Sequence, residues 1–116
     1  MNIEEIIDVE QLRSNTDGDA ALVSDLVAIF EQEFPKLEAE LLPEKAQSRL
    51  TISRAAHKLR GSLLALGARC TSLAEQIELH AKQWDEHHMA DRCHELISQA
   101  RLVTPAIHAL LQRGEP

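Results

Sequence analysis

Apolar residues recur at steps of three and four along most of the chain, the spacing of one face of an α-helix. From Asp19 onward they fall at Leu22, Leu26, Ile29, Phe30, Leu37 and Leu41, which predicts a helix to about Pro43. Pro35 stands inside this pattern and should kink it near Gln32, because proline removes one backbone hydrogen bond. A short helix over about Ile3 to Arg13 precedes it, followed by a turn from Ser14 to Asp19 rich in N-cap residues. A third helix should run from about Ala46 to Leu66, with Gly67 as its C-terminal cap and Gly67-Ala68 as a tight corner. A fourth, about Arg69 to Trp84, carries Cys70, Leu73, Ala74, Ile77 and Ala81 on one face. The last, about Glu86 to Leu111, carries Met89, Cys93, Leu96, Ile97, Ala100, Val103, Ile107 and Leu110, with Pro105 as a kink point. Four long amphipathic helices joined by short links predict an all-α fold: an antiparallel four-helix bundle with an additional short N-terminal helix.

Composition supports this. Aromatic residues make up 3% of the chain, namely Phe30, Phe34 and Trp84. A core of Leu, Ile, Val and Ala suits helices better than sheets. With 116 residues, one domain spanning 1–116 is expected, large enough for a core without disulfides. Cys70 and Cys93 are too few for a disulfide framework and read as small core residues. The net charge of −7 argues against nucleic acid, whose phosphates an acidic domain repels. No stretch is apolar enough to span a membrane, and the acidic start Met1-Asn2-Ile3-Glu4-Glu5 lacks a signal-peptide pattern, so the expected location is cytoplasmic. The start at Met1 and the short tail favour a free protein over a piece of a larger one.

One stretch carries candidate chemistry. His57-Lys58-Leu59-Arg60-Gly61-Ser62 places a histidine, two cations and a glycine inside the third helix. At about 100° per residue, Ala55, Ala56, Leu59, Leu63 and Leu66 fall within about 60° of Ile52 and form the core stripe. His57 falls at about 140°, Gly61 at about 180°, Leu64 at about 120°, Arg60 at about 80° and Arg54 at about 200°. His57 is therefore expected in solvent, with Gly61 one turn along on the same side. A neutral surface histidine is a competent nucleophile. Neighbouring cations disfavour its protonation and can pair with an incoming phosphoryl group. No carboxylate stands three or four residues from His57, so its own helix offers no base for hydrolysing a phosphohistidine. On spacing alone, an exposed histidine with a chance glycine is the better reading.

The residues Ala56-His57-Lys58-Leu59-Arg60-Gly61-Ser62, followed by Leu66-Gly67-Ala68, resemble the pattern A-H-x-L-K-G-S then L-G-A of histidine-containing phosphotransfer (HPt) domains. Leu12, Asp19, Leu22, Leu26, Phe30, Pro35 and Leu37 resemble the family's N-terminal helices, so the likeness covers nearly the whole chain. The resemblance implies a monomeric helical bundle that shuttles phosphoryl groups between receiver domains, those of a hybrid histidine kinase and of a response regulator. It implies His57 as the phosphorylated residue, supported by Lys58, Arg60, Gly61, Arg54 and Leu64. It implies no cofactor of its own, the Mg²⁺ belonging to the receiver, and no kinase activity. Three departures stand out. Arg60 replaces the usual lysine, keeping the charge and changing its shape. Leu64 is bulkier than the family's small residue. Leu73 and Ile77 come about one position early, which implies a one-residue deletion at the corner.

Three other readings remain. A histidine-kinase dimerisation helix usually has an acid after its histidine, where Lys58 stands here, and the chain has no glycine-rich nucleotide-binding region. A metal-binding bundle would use His87, Asp91 and His94, spaced four and three apart, with His88 and Cys93 nearby. A non-catalytic helical adaptor would leave His57 inert. His80 and His108 read as boundary or surface residues.

Overall fold

A computed structural model of the chain describes residues 2–42 and 48–114. Seven helices follow one another among the described residues: α1 (Ile3–Ile6), α2 (Val9–Thr16), α3 (Ala20–Leu41), α4 (Arg49–Ala65), α5 (Thr71–His80), α6 (Glu86–Ala100) and α7 (Val103–Gln112). The all-helical expectation holds. Side-chain caps start most of the helices: Asp8 accepts from the Gln11 N–H, Asp19 from Ala21 and Leu22, Ser48 from Thr51, and Asp85 from His88. Each cap satisfies donors that the first helical turn leaves without partners, an effect of about 1 kcal/mol. Pro43 and the start expected near Ala46 lie outside the described residues; α4 itself begins at Arg49.

Two expected helices are each divided. The N-terminal one breaks at Ile7, whose backbone is extended and forms an isolated antiparallel bridge with Ala68. The Asp8 N–H donates to the Gly67 carbonyl at 2.7 Å and the Arg69 N–H to the Ile6 carbonyl at 2.9 Å. Tertiary pairing with the α4–α5 corner thus takes the backbone groups that a continuous helix would use. Asp8 then caps α2, which runs on to Thr16, past the expected end at Arg13. The last helix breaks at Arg101-Leu102. Pro105 has no N–H for the Arg101 carbonyl and its ring would crowd that group, so the chain restarts as α7 with Pro105 in the first turn. Arg101 secures the break by donating to both carboxylate oxygens of Glu38 on α3, at 2.9 and 3.0 Å.

The face of α3 also differs from the expected one. Leu22 and Ile29 are exposed, and Val23, Val27, Phe30, Leu37 and Leu41 are buried. The sequence of α3 offers two apolar stripes about 100° apart, and packing chose the one containing valine. α3 runs unbroken through Pro35. The expected stripe of α4 is all buried: Ile52, Ala55, Ala56, Leu59, Leu63 and Leu66. So is that of α5, although the helix spans only Thr71–His80 within the expected 69–84. Both cysteines are buried in the core, as expected. No helix among the described residues is long and apolar enough to cross a membrane.

What positions the site is the hairpin of α4 and α5, with α3 against the other flank of α4. Gly67 has φ +68° and closes α4: its N–H donates to Leu64 at 3.1 Å, and that of Ala68 to Leu63 at 2.9 Å. This pair of bonds is the Schellman arrangement, which a residue in the left-handed region makes possible. A Cβ on Gly67 would stand 2.8 Å from the Asp8 carbonyl oxygen and 3.0 Å from the Leu12 nitrogen. The corner therefore needs glycine for its conformation and for the close approach of α2.

Candidate functional site

His57 projects from the middle of α4 into solvent, its side chain 60% exposed, as the angular argument requires. Behind it, Ala56 and Leu59 are fully buried and fix the helix face. The ring is not unpartnered. Nδ1 lies 2.7 Å from Oε2 of Glu78, which comes from α5. The other carboxylate oxygen of Glu78 accepts from Arg60 Nε at 3.0 Å. Glu78 is itself only 24% exposed, and its backbone carbonyl accepts from Ser53 Oγ at 2.9 Å. One partly buried carboxylate thus joins the histidine and the arginine one turn apart on α4.

Glu78 is the residue that reading α4 alone misses. A signal for it existed in the chain. His57 stands ten residues before Gly67 and Glu78 ten after Ala68, so folding the two helices about that corner brings them level.

The remaining expected residues divide into two groups. Lys58 and Gly61 line a groove of about 610 Å³ between α4 and α3, shared with His57 and with Gln32, Glu33, Lys36 and Leu37. A Cβ on Gly61 would meet nothing within 4 Å, so this glycine is not required by packing. Leu64 is 51% exposed, one turn beyond. Arg54 is exposed one turn before His57 and does not line the groove. Arg60 is half-buried and directed at Glu78.

The other histidines make separate local contacts. His87 Nε2 lies 3.4 Å from Asp91 on the same helix, and His108 Nε2 lies 3.1 Å from Glu31. His80 and His88 pack against either side of the sequence at Trp84, with ring centroids 5.7 and 4.6 Å from the indole. Among the described residues, no three His, Cys, Asp or Glu side chains converge as a metal site would need.

Chemically, the arrangement fixes which ring nitrogen is available. A carboxylate accepts only, so a hydrogen bond to Glu78 puts the proton of a neutral imidazole on Nδ1. The lone pair then resides on Nε2, the nitrogen not engaged by Glu78. Comparison of the chain with known protein families, curated proteins and solved structures finds no match in any of the three.

Proposed function

We propose that this chain is a histidine phosphotransfer protein of a multistep phosphorelay. The observation that carries the reading is His57 itself: exposed beside an open glycine, with Nδ1 held by Glu78 and Nε2 left to react. The resemblance of residues 56–62 and 66–68 to the HPt pattern supplies the reaction class. The reading takes α3, α4, α5 and the α6–α7 unit as the four antiparallel helices of the bundle. It also makes the protein a cytoplasmic monomer whose partners are receiver domains.

In the forward step, the Nε2 lone pair attacks the phosphorus of a receiver's aspartyl phosphate. The N–P bond forms as the bond from phosphorus to the carboxylate oxygen breaks, and that electron pair leaves with the aspartate. The proton on Nδ1 stays there. The phosphorylated ring is cationic, and the Glu78 carboxylate opposite Nδ1–H stabilises that charge. In the return step, an aspartate oxygen of the second receiver attacks phosphorus and the N–P electron pair returns to Nε2. Any divalent cation in these steps belongs to the receiver. Glu78 sits at the nitrogen that does not carry the phosphoryl group, so it is an orienting group rather than a base for water. Arg60 acts through Glu78. The absent side chain at Gly61 and the exposed Leu64 leave room and apolar surface for a partner.

The test is transfer from a set of phosphorylated receiver domains, with ATP alone as control. The expected result is acid-labile, alkali-stable label from at least one receiver and none from ATP. Label from ATP alone, or from no receiver in the set, contradicts the reading.

A further inference from the structure

We propose that Lys36, on α3, binds the phosphoryl group carried by His57, together with Lys58. This rests on the reading of His57 as a phosphoryl acceptor and adds to it a second helix and a specific cation.

The geometry separates the cations near His57 by task. Arg60 is engaged with Glu78 on the α5 side of the ring. The Nδ1 edge of the ring faces that same carboxylate. The opposite flank of His57 borders the groove shared with α3, and the cations that line this groove are Lys36 and Lys58. Among the described residues neither has an ion-pair partner. In a chain of net charge −7, two lysines lining the same groove as one histidine form a local exception to the acidic surface.

The backbone under Lys36 is well held. Leu37 is buried next to it, and Arg101 grips Glu38 one residue further. The lysine stem is long and flexible, and its ammonium donates three hydrogen bonds without the fixed plane of a guanidinium. That suits a phosphoryl group whose position shifts between bound and transferring states. Glu33 also lines the groove, but toward Ser62, whose Oγ lies 3.5 Å from its carboxylate. Glu33 thus has a polar partner on α4, and Lys36 and Lys58 share the groove with His57. A phosphoryl group on Nε2 would meet Lys36 and Lys58 at its non-bridging oxygens while Glu78 holds the other nitrogen.

Phosphoramidate tests this without a receiver: it transfers its phosphoryl group to the histidine nitrogen, and its own nitrogen leaves as ammonia. The full-length chain is labelled as wild type, Lys36→Gln and Lys36→Arg. Two quantities are read: the initial rate, and the pH midpoint of the phosphohistidine ³¹P shift. Losing one charge-assisted contact at an exposed site is expected to slow Lys36→Gln labelling about fivefold. It should also raise the ³¹P midpoint by about half a unit, because a cation favours the doubly ionised phosphoryl group. Lys36→Arg should restore both. A Lys36→Gln protein with wild-type rate and midpoint overturns the inference. So does one that is slow only with phosphorylated receivers, since Lys36 would then contact the partner and not the phosphoryl group. Failure of the functional reading looks different: the wild-type protein itself takes no label on His57, which removes this inference too.

Discussion

His57 Nδ1 and Glu78 Oε2 lie 2.7 Å apart across the α4–α5 interface, and they join residues 21 positions apart in the chain. The pair holds the imidazole in one orientation and one tautomer. Glu78→Ala should therefore leave the fold intact and shift neutral His57 from the Nδ1–H toward the Nε2–H form. Phosphoryl transfer should slow roughly tenfold, the size of one charge-assisted hydrogen bond. Imidazole ¹⁵N shifts and single-turnover transfer check the two parts separately. A wild-type tautomer balance in the variant would remove the orienting role.

Arg60 shares the same carboxylate at 3.0 Å. Arg60→Ala should slow transfer only a few-fold, because Arg60 acts on Glu78 and forms no bond to the phosphoryl group. Adding Glu78→Ala to Arg60→Ala should cost little beyond Glu78→Ala alone. A double-mutant cycle on transfer rates measures this coupling; strictly additive losses would mean that the arginine acts elsewhere.

The two glycines near the site should behave oppositely. Gly61 has open space around it and sits in a helix, where alanine is better by about 1 kcal/mol. Gly61→Ala should keep or raise the melting temperature. Gly61→Glu should fold yet fail in transfer, since its side chain enters the space beside His57 and brings negative charge toward the phosphoryl group. A Gly61→Glu protein that transfers at the wild-type rate would remove the docking explanation for this glycine. Gly67→Ala should instead lose about 2 kcal/mol or more, from its left-handed backbone and its 2.8 Å approach to the Asp8 carbonyl. Urea unfolding distinguishes the two cases.

How much of this was legible depended on the range of the interaction. The α4 stripe could be read from 3.6-residue periodicity because Leu59 and Leu63 admit one inward face, and the same geometry put His57 in solvent. The Gly67 corner could be read because only a left-handed residue completes that cap. Ile7 could not: its break comes from hydrogen bonds between its neighbours and a corner sixty residues away. α3 offers two apolar stripes, and its neighbours decide which one faces inward, so periodicity alone does not show that Leu22 and Ile29 face solvent. Glu78 is the most consequential omission. The stretch around His57 shows cations and no acid, and its carboxylate arrives only when α5 folds back about Gly67.

Burial pushes the Cys70 thiol up to about 11, from an ordinary value of 9.0. The folded state therefore holds the proton more tightly. The stabilisation is complete below about pH 9 and is lost as pH rises through about 11. Over that window wild type should lose up to about 2 kcal/mol more stability than Cys70→Ala. Melting of both proteins between pH 8 and about 11 measures the difference, and parallel curves would mean that the thiol ionises freely. At neutral pH, Cys70 should resist alkylation until the protein unfolds.

The most direct measurement is the ³¹P–¹⁵N coupling in ¹⁵N-labelled protein after transfer from a phosphorylated receiver. The expected spectrum has one N–P bond, to Nε2 of His57, with the proton retained on Nδ1, and His57→Gln gives no label while melting within a few tenths of a kcal/mol of wild type. A phosphoryl group on Nδ1 of His57, on His80, His87, His88, His94 or His108, or label that persists in His57→Gln, would contradict the assignment.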